Sequence, residues 1–239
     1  MARYDQYPEY VPVSQKKEMA KKQIEKLKKK NPDLAPIVIE GNKLATTWWG
    51  KAWNKNLENY ADYSNRITRG RSYVRNGAVL DLKIETGIVT ALVLGSAKKP
   101  YQVEIKIAAL ANEKWENILS VCNHKIDNLA ELLEGKFPKE LEELFTLKGA
   151  GLFPSNKEIK FSCSCYDWAD MCKHVAATLY GIGARFDEDP TLFFKLRNID
   201  FEVLLKKTIE QKMQSMLANS DQKSHRVLDD KDVFELFGV

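Results

Sequence analysis

Four residues with metal-ligand chemistry crowd into twelve positions of this chain: Cys163 and Cys165, then Cys172 and His174. The whole chain has four cysteines and three histidines in 239 residues, so a cluster this dense is not expected by chance. Three thiolates and one imidazole make a complete tetrahedral set for Zn²⁺ and leave no position open for water. A closed set of that kind is structural, and binding the ion contributes to folding directly. A reduced, buried trio of thiols would not need the histidine that stands two residues after the third cysteine.

The local pattern places the ligands on two elements. Residues Lys157 to Cys163 alternate polar and apolar, as a short strand does, with Ile159, Phe161 and Cys163 on one face. Successive strand residues point to opposite sides, so Cys163 and Cys165 reach one ion only where the chain bends into a knuckle. Cys172 and His174 open the apolar run Val175-Ala176-Ala177-Thr178-Leu179-Tyr180, which reads as a helix.

The motif Cys163-x-Cys165-x₆-Cys172-x-His174, with Phe161-Ser162 before it and Val175-Ala176-Ala177 after it, resembles the SWIM zinc finger. It resembles in particular the bacterial SWIM-domain proteins encoded beside Swi/Snf-type helicases. Thr47-Trp48-Trp49-Gly50-Lys51-Ala52-Trp53 and Arg69-Gly70-Arg71-Ser72-Tyr73-Val74-Arg75-Asn76-Gly77 also look like stretches of that family. The resemblance spans roughly residues 40 to 215. It implies a zinc-binding accessory protein that contacts DNA or a protein partner, with a Swi/Snf-type helicase as the suggested partner.

The rest of the chain reads as α+β. Ser14 is placed to cap a helix to about Lys30 that carries eight lysines on a thin seam of Met19, Ile24 and Leu27. Thr46 or Thr47 caps the next helix, where Trp49, Trp53, Leu57 and Tyr60 share an apolar face and Trp48 stands beside it. Three strands follow, 78–84, 88–94 and 101–107, joined by tight connections into an antiparallel meander. In the first of these Leu80, Leu82 and Ile84 point inward while Val79, Asp81 and Lys83 point outward. Helices resume from Ala108, through Trp115, Ile118 and Leu119, then Ile126 to Leu133, then Pro138 to Gly149. After the knuckle helix come short helices at Thr191–Leu196 and after Asp200. Cys122 and His124 are read as a buried thiol and a surface histidine, since two residues do not make a site.

This pattern predicts a tail and basic helix over 1–45, an α+β domain over 46–150, and an acidic, apolar tail over 218–239. Between them, over 151–217, a small zinc-stabilised ββα SWIM-type module is expected with its following helices. Charge is uneven along the chain. Residues 1–107 hold 20 Lys and Arg against 11 Asp and Glu; residues 108–239 hold 17 against 22. A polyanion is therefore expected on the N-terminal half. The candidate contacts are Arg66, Arg69, Arg71, Tyr73 and Arg75 in a segment read as an exposed loop, whose arginines suit phosphate and whose tyrosine suits a base. Candidate partner-docking residues are Trp168 in the six-residue finger loop, Phe234 and Phe237. For Trp168 the competing expectation is that it packs over the metal and excludes water.

Enzymatic signatures are missing from the sequence. It has no Gly-x₄-Gly-Lys-Ser/Thr loop, no His-Glu-x-x-His and no Gly-x-Ser-x-Gly. No His-x-Glu partners a Cys-x-x-Cys, as a zinc deaminase requires. The expected function is nucleic-acid binding, with a protein adaptor as the alternative, and no small-molecule substrate is indicated. No secretory leader is visible and no apolar run approaches about 18 residues, so a cytoplasmic protein outside the membrane is expected.

Overall fold

The computed structural model describes residues 11–97, 99–117, 142–147, 151–200 and eight positions between 202 and 217. In chain order these form α1 (Val13–Lys28), α2 (Trp48–Leu57) with a 3₁₀ turn to Tyr60, and α3 (Ser64–Arg75). Strands β1 (Val79–Glu85), β2 (Ile88–Val93) and β3 (Tyr101–Ile107) follow. Residues 112–117 and Glu142–Thr146 are helical, and β4 (Ile159–Cys163), α4 (Lys173–Glu188) and α5 (Thr191–Leu196) complete the described elements.

The expected meander is present and gains a fourth strand. The sheet order is β1-β2-β3-β4 with every neighbour antiparallel. β4 carries the first metal-ligand candidate, so the strand expected in a separate module belongs to the same sheet as β1–β3. One hydrophobic core runs from Ile37 to Leu196 and includes residues on both sides of position 150. Helix α4 lies at its centre, packed against α2, α3, α5 and all four strands. Twelve of its sixteen residues are buried, from His174 to Phe186, which is the signature of a helix enclosed on every side.

Small residues let the neighbours come close. A Cβ built on Gly70 of α3 would lie 2.5 Å from the Ala176 Cβ, and one on Gly181 would lie 2.8 Å from Leu82. Helix α2 meets α4 through its expected apolar face, where Trp53 and Leu57 are fully buried, each contributing about 2–3 kcal/mol. Its tryptophans also bond to the helix they cover. Trp53 Nε1 donates to the Leu179 carbonyl and Trp49 Nε1 to the Phe186 carbonyl, both at 2.9 Å. Phe186 lies in the last turn of α4, where carbonyls lack intrahelical partners. Trp48 is half-buried and edge-on to Trp49 at 5.6 Å rather than standing free.

Caps and register show where local reading holds. Thr47 caps α2, accepting from the Gly50 N–H at 3.1 Å, and Asp200 accepts from the N–H groups of Glu202 and Val203. The Asp187 carboxylate, at the far end of α4, also accepts from the hydroxyls and N–H groups of Thr46 and Thr47. Ser14 is inside α1 instead of capping it; Pro12 holds the cap position, with its fixed φ and no N–H to satisfy. Val79, expected outward, is fully buried. A bulge at Leu80 lets Val79 pair with Val93 and Asp81 with Leu92, and the extra residue flips the side-chain parity. Asp81 is buried on the other face because the 35–37 segment covers β1: Asp81 accepts from the Ala35 N–H at 2.8 Å, and Ile37 N–H donates to the Val79 carbonyl.

A buried ion pair, not foreseen from the sequence, ties the ends of three elements. The Arg197 side chain is fully enclosed just after α5; it donates to the Ala108 carbonyl at 2.7 Å and to Glu158 Oε1 at 2.8 Å. The other Glu158 oxygen accepts from the Ser155 N–H and hydroxyl. Cys122, His124, Ile118, Leu119, the helix expected at 126–133 and the residues Phe234 and Phe237 lie outside the described residues.

Arg197→Met leaves Glu158 without its counter-ion and should lower unfolding free energy in urea by about 3 kcal/mol. Burial pushes the Glu158 pKa up, but the bonds from Arg197 and Ser155 outweigh it and bring the pKa down to about 2. The folded value lies below the unfolded one of about 4.3, so this contribution is complete above that pH and is lost progressively as pH falls from there through about 2. The stability gap between wild type and Arg197→Met should shrink over that window; a constant gap would rule out the ion pair as its source.

Candidate metal centre

The sheet and the buried helix bring the ligand candidates together. Cys163 ends β4. There Ser164 keeps hold of β3, accepting the Gln102 N–H at its hydroxyl (2.9 Å) and donating its own N–H to the Gln102 carbonyl (3.0 Å). The chain then bends, and Cys165 turns back toward Cys163, as the knuckle reading requires. Cys172 is the N-cap of α4, its sulfur accepting from the Val175 N–H at 3.5 Å, and His174 lies in the first turn.

The four ligand atoms all lie within 4.8 Å of one another. His174 Nδ1 is 3.8 Å from the Cys163 sulfur and 3.9 Å from that of Cys172. Bond lengths of about 2.3 Å to sulfur and 2.05 Å to nitrogen at tetrahedral angles give sulfur–nitrogen separations of about 3.6 Å. These two pairs are within a few tenths of an ångström of that value, and with all four ligand atoms inside 4.8 Å the cluster is compatible with one metal ion after a modest contraction. His174 and Cys172 are buried; Cys163 and Cys165 are half-buried.

The protonation pattern follows from the crowding. A hydrogen bond between the Cys163 and Cys172 sulfurs pushes the Cys172 pKa down and that of Cys163 up. Burial pushes the Cys165 thiol up. The N-terminus of α4 favours negative charge on Cys172, and a cation would displace the remaining thiol protons.

Residues that the motif does not contain orient the imidazole. Tyr101 of β3 stacks on His174 at 4.2 Å, and Tyr73 of α3 meets it edge-on at 5.5 Å. Gly95 backs onto the same ring: a Cβ there would lie 2.9 Å from His174 Nε2 and collide with Tyr101. Nε2 itself is buried with no hydrogen-bond partner among the described residues, so packing sets the ring orientation. The only sequence signal for Gly95 was its place in the β2–β3 connection.

The finger loop is clamped at Asp167 and Asp170 and exposes the two aromatic residues that flank Asp167. Asp167 pairs with Arg66 at 3.0 Å, and the Asp170 N–H donates to Asp62 at 2.9 Å. Ala169 and Met171 are buried. Just before them Trp168 is 78% exposed and Tyr166 entirely so, with Trp168 edge-on to Tyr63 at 5.3 Å. The expectation that Trp168 packs over the metal is not met: the indole faces solvent beside Tyr63, and Ala169 and Met171 turn inward instead.

The expected arginine loop is a helix, α3, and this divides the five candidate contacts. At about 100° per residue the buried stripe Ile67, Gly70 and Val74 separates two flanks. Arg66, Arg69 and Tyr73 fall on the flank toward the metal cluster. Arg71 and Arg75 fall on the other, where Arg71 bonds to Glu58 and the Tyr180 hydroxyl and Arg75 donates to the Asn42 carbonyl. Arg66 is spent on Asp167. Arg69 is exposed and has no ion-pair partner among the described residues.

The uncharacterized protein Rv2102 of Mycobacterium tuberculosis is 39% identical to this chain over 163 residues, which are 68% of this chain and 58% of that protein. The chain thus spans under two thirds of the length of the curated relative it matches. No family model matches the chain, and no solved structure does. Among the described residues no helix is long and apolar enough to cross a membrane.

Cys172→Ala should abolish stoichiometric metal binding and lower the melting temperature by at least about 10 °C, because two ligands sit on the first turn of the central helix. Metal analysis and a thermal melt check this; an unchanged melt with unchanged metal content would sink the metal assignment. Gly95→Ala should weaken metal affinity about 10–100-fold in a chelator competition, through displacement of the imidazole.

Proposed function

We propose that this chain is a SWIM-type, zinc-stabilised accessory protein that contacts nucleic acid, DNA in the first instance, with the tip of its finger loop. The thiolate-rich set suits zinc, and with four protein ligands the ion has no open position for catalysis. The observation that carries the reading is the exposure of Tyr166 and Trp168 between the two ligand pairs, on either side of Asp167, which Arg66 holds in place. Aromatic faces open to solvent are stacking platforms for unpaired bases. Arg69 on the neighbouring flank of α3 supplies a cation for the adjoining phosphate.

In this reading the module assists a Swi/Snf-type helicase, the partner implied by the resemblance, and carries out no chemistry itself. A second reading, a protein adaptor, is favoured by one observation. Trp168 and Tyr63 form a pre-ordered aromatic pair, which is what a protein hot spot requires.

Fluorescence anisotropy of metal-loaded protein with labelled oligo-dT and with duplex DNA separates the two. Binding to oligo-dT is expected, and Tyr166→Ala/Trp168→Ala should weaken it at least tenfold with metal content unchanged, since each stacked base is worth about 1–3 kcal/mol. Absence of binding to either DNA at low salt would overturn the nucleic-acid reading in favour of the adaptor.

A further inference from the structure

On the flank of α3 turned away from the metal cluster lies a cleft of about 410 Å³ between α2, α3 and the turn at 42–45. Five cationic side chains line it, Lys43, Lys51, Lys55, Arg71 and Arg75, against a single carboxylate, Glu58. The helical repeat produces this convergence. Lys51 and Lys55 on α2 and Glu58 in the 3₁₀ turn that continues it are spaced by four and three, and Arg71 and Arg75 by four on α3, so each set lines one side of the cleft.

The cations are of two kinds. Arg71 is held by Glu58 and by the Tyr180 hydroxyl at 2.7 Å, and Arg75 by the Asn42 carbonyl at 3.2 Å, so both guanidinium groups are pre-positioned. Lys43, Lys51 and Lys55 are exposed and have no ion-pair partner among the described residues. Like charges gathered on this shallow, open cleft repel one another and raise the positive potential over it, which a bound anion relieves. Guanidinium forks beside mobile ammonium groups are the donor set for phosphate oxygens.

We infer that this cleft is a phosphate-binding site that takes the backbone of a nucleic-acid strand whose bases reach the finger tip; the inference rests on the nucleic-acid reading above. The outer face of α3, between the cleft and the finger, carries exposed Asn65, Thr68 and Ser72 and no carboxylate. A strand crossing it meets small polar side chains and then Arg69. The same donors would accept a small phosphate compound, so the experiment must distinguish the two sources.

The test uses the metal-loaded full chain and its Lys51→Gln/Lys55→Gln variant, both substitutions being on exposed side chains whose effect on folding a thermal melt checks. Oligo-dT affinity is measured across a salt series. The variant is expected to bind at least tenfold more weakly at low salt and to show a log–log salt slope shallower by about 1.4, or 0.7 for each lost phosphate contact. Wild type and variant binding alike, with equal slopes, would overturn the cleft while leaving the finger-tip reading intact. If neither binds oligo-dT, both proteins are titrated with inorganic pyrophosphate. Stabilisation of wild type alone would retain the phosphate site for a small ligand and reject the nucleic-acid strand; stabilisation of neither would overturn the inference.

Discussion

Enclosure of helix α4 is the constraint on which the rest of this structure depends. Its small residues at Ala176, Ala177, Gly181 and Gly183 admit α3, β1 and α2 on different sides, and its aromatic residues fill the space between them. A helix so enclosed has almost no polar face of its own, so its backbone ends need partners from elsewhere. At the C-terminal end the Trp49 indole meets the Phe186 carbonyl, and Asp187 gathers the N-terminus of α2. At the N-terminal end the sulfur of Cys172 takes the Val175 N–H, which puts a metal ligand in the position of a cap.

This placement explains why the metal cluster and the core are one unit. Cys163 belongs to the edge strand of the sheet, and Cys172 and His174 belong to the helix packed on that sheet. An ion held by all four ligands would staple sheet to helix at the point where both elements end. Tyr101 from β3 and Tyr73 from α3 close over the imidazole, so the ligands and the rings that cover them are drawn from β3, β4, α3 and α4. In the loop between the ligand pairs Tyr166, Trp168 and Asp170 face solvent, while Ala169 and Met171 turn into the core. The Arg197–Glu158 pair performs a comparable task at the far end of β4, joining the strand entry to the exit of β3.

Helix α3 shows how a correct list of residues can carry a wrong grouping. Ser64 to Arg75 contains glycine, serine, asparagine and four arginines, a composition poor in apolar periodicity, and it reads as a loop. Ile67, Gly70 and Val74 suffice for a helix because the stripe they form faces the small residues of α4, where close approach replaces bulk. Once helical, the segment sends its arginines to opposite sides. One arginine clamps the finger loop, two enter the cleft, and Arg69 stays free of ion pairs among the described residues.

The ligand set, the knuckle, the meander, the α2 cap and the apolar face of α2 were all legible in the chain, because each is set by spacing within a dozen residues. Strand alternation and helical repeat are local properties, and so is the clustering of thiols with an imidazole. What tertiary structure decided was whatever depends on a neighbour distant in sequence. The bulge that buried Val79, the union of β4 with the meander, the buried Arg197, the role of Gly95 and the two flanks of α3 are of this kind. None leaves a periodic trace, since each arises from which surface another element happens to cover.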